Sequence, residues 1–117
     1  MELPVSDLNT KNYTRIEHED PYKFNAPHHF QVKRVTDDTV LVKVDFQEGP
    51  IKECGVNGCR NEDLINMVIA RLEGFQKSEF ACRENQIALT KLEEALLWLH
   101  HRTNKRVNRG VEGTHIV

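Results

Sequence analysis

From Glu84 onward, apolar residues recur as Ile87, Ala88, Leu89, Leu92, Ala95, Leu96 and Leu99, the spacing of one buried helical face. This pattern predicts a long helix within the segment from Cys82 to Thr114. Beyond Leu99 the seam stops: the ten residues His100 to Arg109 hold one apolar side chain, Val107, and Gly110 then supplies the expected left-handed stop. At about 100° per residue, Arg102, Arg106 and Arg109 fall within about 60° of one another, beside the apolar face rather than opposite it. They form a cationic row.

A second helical pattern precedes this one. Ile65, Val68, Ile69 and Leu72 make a seam over residues 61–76, flanked by Leu64, Met67 and Phe75, while Gly74 weakens the last turn. Asn61 is the expected N-cap, with Glu62 and Asp63 matching the helix dipole. The link 77–82 is short enough to make the two helices antiparallel neighbours. Upstream the period changes to two. Phe30 and Val32 alternate with Gln31 and Lys33, 36–39 reads as a turn, and Val40, Val42, Val44 and Phe46 alternate with Leu41, Lys43 and Asp45. Two strands alone are marginal in water, so this face must cover helices or pair with another subunit's sheet. Residues 1–29, punctuated by Pro4, Pro21 and Pro27, read as an irregular N-terminal arm.

The expected fold is therefore α+β: an N-terminal antiparallel β-hairpin or sheet, then a long antiparallel helical hairpin, in an oligomer. An arm at 1–29 precedes a single α+β domain at 30–117, comprising a β-hairpin at 30–48, a glycine-rich loop at 49–60, and the helical hairpin with its tail at 61–117. In the loop, amides around Gly55 and Gly58 suit either an anion nest or a tight structural turn, and Glu62 and Asp63 at its mouth favour the turn. Cys54 and Cys59 lack a matching zinc-type pair and read as packing residues. His28 and His29 read as surface residues, since no spaced partner accompanies them in the sequence.

Charge changes the picture mainly by exclusion. Sixteen basic residues against eighteen acidic ones among 117 give no field that favours a polyanion, and aromatics are sparse, so nucleic acid is not an expected partner. Three cysteines, no signal-peptide pattern and no apolar run of membrane length place the expected chain in a reducing cytoplasm. Catalysis is not expected either. Ser78 has no nucleophile-elbow setting, no phosphate-loop or zinc-protease motif occurs, and Glu84, Glu93 and Glu94 sit where lysine and arginine pair them along a helix. No cofactor or metal is implied.

Four residues stand out as ligand contacts, each beside a plainer role. Asn85 falls on the apolar stripe, either as a buried polar residue or first-turn cap, or as a reader of a base edge. Phe75, at the bend of the hairpin, is either core or a stacking platform for a base. Arg102 and Arg106, one turn apart, either complement the helix dipole in solvent or fork onto two phosphates. Seventeen residues separate Asn85 from Arg102, about 26 Å along one helix, so no small ligand touches both in one chain. If they serve one pocket, the arginines come from a second protomer, and a two-fold dimer holds two equivalent pockets.

The runs Gly49-Pro50-Ile51-Lys52-Glu53, Gly55-Val56-Asn57-Gly58, Asn61-Glu62-Asp63-Leu64, Phe80-Ala81-Cys82-Arg83-Glu84-Asn85, Arg102-Thr103 and Arg109-Gly110-Val111-Glu112-Gly113-Thr114 resemble phage proteins that sequester cyclic-nucleotide immune signals. The similarity is to the Thoeris anti-defence sponges, whose helical hairpin domain is shared with anti-CBASS sponges, and it spans roughly residues 30–117. The resemblance implies non-hydrolytic binding of glycocyclic ADP-ribose signals made by TIR-domain enzymes, in the host bacterial cytoplasm during infection. In some members it also implies cyclic di- or trinucleotides held in separate sites, and assembly as a dimer or hexamer. By the same resemblance Phe75 stacks a base, Asn85 hydrogen-bonds it, Arg102 and Arg106 hold the pyrophosphate, and Arg83 and Arg109 are secondary contacts. A helical hairpin that docks another protein, with no nucleotide ligand, is the alternative.

Overall fold

The computed structural model describes residues 13–117. The part of the expected arm before Tyr13 lies outside the described residues. The described residues form two compact units, one ending at Cys59 and the other Arg60–Val117.

In the first unit, β1 (Thr14–His18), β2 (His29–Arg34) and β3 (Val40–Asp45) form an antiparallel sheet in the order β1-β2-β3. The expected β2–β3 hairpin is present, but the segment read as an irregular arm contributes a third strand. Ile16 faces Val32, which faces Val42, and His18 faces Phe30, which faces Val44, so one sheet surface is apolar across all three strands. The reason β1 escapes pattern reading is His18. It is polar by type yet only 8% exposed, and its ring packs against Phe30 at 5.6 Å and Tyr22 at 6.2 Å. Phe30 continues the cluster to Phe46, edge to face at 5.4 Å. On the other surface Glu17 accepts from Arg15 (3.1 Å) and Lys33 (2.8 Å), and Arg15 also pairs with Asp38. His28 corrects a second expectation, for it is buried, with Nε2 2.6 Å from the Lys23 carbonyl.

The glycine-rich loop is a structural turn. The Gln47 amide donates to the carbonyls of Gly49 (3.0 Å) and Gly55 (2.7 Å) and accepts from the Asn57 N–H (3.0 Å). Asn57 in turn accepts from the Glu48 N–H (2.8 Å) and donates to its carbonyl (2.7 Å). These side chains satisfy the backbone groups that a ladder otherwise would. A one-turn helix, α1 (Ile51–Cys54), sits inside the loop. Gly58 is fixed by space rather than dihedral: a Cβ there would stand within 2.4 Å of the Phe46 carbonyl oxygen, where a parallel bridge joins Phe46 to Cys59.

The second unit is the helical hairpin of α2 (Asn61–Gln76) and α3 (Arg83–Asn108), which pack on one another. Ile69 and Leu89 are its buried centre, with Leu89 3% exposed. The cap of α2 falls one residue before the expected Asn61. Arg60 is the N-cap, and its N–H donates to the Asp63 carboxylate at 2.8 Å, so the acidic first turn does the capping that a short polar side chain was expected to do. The end of α3 is as predicted. Gly110 takes φ 74°, its N–H donates to the Val107 carbonyl (3.0 Å), and the Val111 N–H donates to the Arg106 carbonyl (3.0 Å), the two bonds of a Schellman motif. No described helix is long and apolar enough to cross a membrane.

Candidate functional site

The bend of the hairpin is held by one side chain. Gln76, the last residue of α2, donates from Nε2 to the Cys82 carbonyl and accepts the Cys82 N–H at Oε1, each at 2.9 Å. Ser78 adds a turn, donating to the Phe75 carbonyl (2.6 Å) and accepting the Phe80 N–H (3.1 Å). Phe75 and Asn85 thereby stand on either side of a hydrogen-bonded bend. Phe75 is 37% exposed, so its ring is neither core nor free of the surface. Asn85 occupies the third position of α3, half-buried, one turn before Leu89. Arg83 stands exposed in the same first turn. One contributor escaped the sequence reading: the Arg71 guanidinium lies 5.2 Å from the Phe75 ring centroid and covers one of its faces. The i, i+4 spacing of an arginine and an aromatic on one helix was the available signal.

The arginines occupy the opposite end of α3. Because α3 is a continuous helix from Arg83 to Asn108, Asn85 and Arg102 remain about 26 Å apart. Phe75, Arg83 and Asn85 therefore gather at the bend, and Arg102, Arg106 and Arg109 at the far tip. Arg102 is exposed. Arg106 is not a solvated helix end. Its Nη2 donates to the carbonyls of Val111 (3.0 Å) and Thr114 (3.1 Å), and its Nε donates to Glu112 (3.2 Å), leaving the side chain 13% exposed. These bonds fold the tail back onto α3 and bury Val111. Arg109 donates to the Val117 oxygen at 2.8 Å. The row of three is thus an exposed Arg102 beside a partly buried Arg106 and an exposed Arg109 that both hold the C-terminal segment.

Several large apolar side chains of the hairpin are exposed among the described residues. Met67, Val68, Phe80, Leu97 and Trp98 are exposed, the last with its ring edge-on to His101 at 6.0 Å.

Against known proteins, residues 38–104 match the family model described as "Acb2/Tad1, hairpin domain". The chain is also 49% identical, over 93% of its own length and 94% of the relative's, to "Thoeris anti-defense 1" of Bacillus phage SBSphiJ7. With more than half of its residues inside the family match and a relative this similar from end to end, the chain belongs to the Acb2/Tad1 hairpin family.

Proposed function

We propose that this protein is a phage anti-defence protein acting against Thoeris, and that it acts by binding a cyclic nucleotide signal, glycocyclic ADP-ribose, and withholding it unhydrolysed. The anti-Thoeris role is supported by the near full-length similarity to a protein of that name. The sequestering role is supported above all by one observation: a single unbroken helix carries an amide at one end and an exposed guanidinium at the other, too far apart for one small ligand. In an antiparallel arrangement of two such helices, each bend meets the other's tip. Phe75 then stacks an adenine on the face that Arg71 does not cover, Asn85 reads the base edge, and Arg102 takes the pyrophosphate. Arg106, oriented in advance by two carbonyls and Glu112, adds a fixed second guanidinium one turn away at little ordering cost. Arg83 and Arg109 line the approaches. The exposed Leu97 and Trp98 favour assembly into a homo-oligomer, dimer or hexamer, and cyclic oligonucleotides present the same adenines and phosphates to a second class of site.

The side chains named here pair no nucleophile with a base, which supports storage rather than turnover. Titration with glycocyclic ADP-ribose isomers followed by heat release tests this. Recovery of the unchanged ligand at one equivalent per pocket is expected. Recovery of an altered nucleotide would make the protein an enzyme, and absence of binding would leave the helical hairpin as a protein-docking module.

A further inference from the structure

The first unit contains a second cluster of chemistry that the nucleotide pocket does not use. His29, the first residue of β2, has carboxylates at both ring nitrogens. Nδ1 lies 2.8 Å from Asp45 Oδ1, and Nε2 lies 3.1 Å from Glu48 Oε2. Glu19 completes the group, its carboxylate accepting the backbone N–H groups of His28 and His29 at 3.0–3.2 Å. The adjacent-histidine sequence had no spaced partner; the fold supplies three. They come from the ends of all three strands, since Glu19 follows β1, His29 opens β2, Asp45 closes β3 and Glu48 follows it.

Charge accounting restricts what can sit here. An ionised carboxylate only accepts hydrogen bonds, so Asp45 fixes the Nδ1 proton and leaves the Nε2 lone pair aimed at the oxygen of Glu48. Two acceptors 3.1 Å apart require a cation between them. Of the neighbouring cations, Arg15 and Lys33 are already taken up by Glu17, and Lys43 borders the same cleft. A proton on Nε2 satisfies the pair, and the same carboxylates do raise the His29 pKa, Asp45 foremost. The arrangement also meets the demands of a metal. Ligand atoms roughly 2.0–2.2 Å from a metal stand about 3–3.5 Å apart across tetrahedral or octahedral angles, the spacing seen between Nε2 and Glu48. Ligand atoms of Glu19, His29 and Glu48 all lie within 4.8 Å of one another, so Glu19 closes the set with a small shift. A carboxylate on the non-ligating ring nitrogen is the usual orienting partner of a metal-bound histidine. An open cleft of about 430 Å³, bordered by Glu19, His29 and Asp45, gives an entry path to two of the three ligands.

We propose that Glu19, His29 and Glu48 form a divalent transition-metal site, with Asp45 as the carboxylate that orients the imidazole, and that the cation ties together the ends of the three strands. One imidazole and two carboxylates suit zinc, with manganese the nearest competitor and magnesium poorly matched to the nitrogen.

The test uses the full-length, untagged protein after chelation. Zinc is titrated by calorimetry and by competition with a chromogenic indicator, with manganese and magnesium as separate arms, and cobalt(II) replaces zinc for spectroscopy. One equivalent of zinc per chain is expected, raising the thermal midpoint, with a cobalt spectrum that lacks thiolate charge transfer and so excludes Cys54, Cys59 and Cys82. His29→Gln removes the site, and Asp45→Asn weakens it roughly 10- to 100-fold while leaving all three ligands in place. Should His29→Gln fail to fold by circular dichroism, Glu48→Gln carries the same expectation. Absence of saturable zinc uptake, uptake that survives both ligand substitutions, or a thiolate band in the cobalt spectrum overturns the proposal.

Discussion

Arg106 offers the sharpest test of how the far tip of α3 is built. Replacing it with methionine keeps the stem and the helix propensity but removes the three donors that reach Val111, Thr114 and Glu112. Hydrogen bonds from a charged donor contribute about 1.5–3 kcal/mol each when shielded, but Glu112 is partly exposed and its ion pair is worth about 0–1 kcal/mol. The Val111 carbonyl keeps a partner after the substitution, because the Thr114 N–H (3.1 Å) and hydroxyl also donate to it. Only the Thr114 carbonyl loses a partner in a half-buried place. The net cost is therefore about 2 kcal/mol, or a fall of roughly 6–10 °C in melting temperature for a chain of this size. Helical circular dichroism during heating reads the shift, and hydrogen exchange at the Val111 amide, which donates to the Arg106 carbonyl, reports whether the tail has come loose. Arg106→Lys, which keeps the charge without the fork, should recover less than half of the loss. If Arg106→Met melts within about a degree of the parent and Val111 exchange is unchanged, Arg106 is no organiser of the tail and its assigned role is wrong.

Other expectations follow from particular contacts. Gly58→Ala should cost about 1–3 kcal/mol or more in urea denaturation, because the new methyl meets the Phe46 carbonyl at 2.4 Å and backbone must move; a neutral result would refute the close approach. Phe75→Ala should weaken ligand binding by about 1–3 kcal/mol, roughly 5- to 150-fold in Kd by calorimetry, with α2 unchanged in circular dichroism. The pH profile has two limbs. Lys33, then Arg15, hold the Glu17 pKa below its ordinary 4.5, so that its stabilisation is present above 4.5 and is lost as pH falls through the lowered value. His29 is held above its ordinary 6.5 by Asp45 first and Glu48 after it, so that its contribution is complete below 6.5 and is lost as pH rises through the raised value. Metal-free protein should thus melt highest between about pH 4.5 and 6.5, with Glu17→Gln flattening the acid limb and His29→Gln the alkaline one. A profile unchanged by either substitution would contradict this.

What could be read from the chain alone follows the strength of each periodic signal. The bounds of α2 and the stop of α3 at Gly110 were legible because long 3.6-residue patterns and a left-handed glycine admit few alternatives. The strand β1 was not, since five residues with two charges show little alternation until His18 is known to be core. Burial of a histidine depends on Tyr22 and Phe30 being placed around it, which is tertiary information. The cap at Arg60 was missed for a related reason: Asp63 reaches back to the backbone, so the capping carboxylate lies three residues inside the helix. Within the candidate site, side-chain types pointed to Phe75, Asn85 and the arginines, but not to the cover Arg71 gives Phe75 or to the tail that claims Arg106. The Glu19–His29–Glu48 group was invisible because strand register, not sequence spacing, assembles it.

The central claim is that one ligand draws its amide and its guanidinium from different chains, and mixing two defective proteins tests it most directly. Asn85→Ala and Arg102→Ala each spoil every pocket of their own homodimer. Unfolded, combined in equal amounts and refolded, they form mixed dimers in which one pocket holds both intact residues and the other holds neither. High-affinity binding of glycocyclic ADP-ribose should then return to about a quarter of the wild-type stoichiometry, since half of the dimers are mixed and each has one sound pocket of two. If the mixture binds no better than either variant alone while native mass spectrometry shows the mixed dimers, the two residues do not meet across chains.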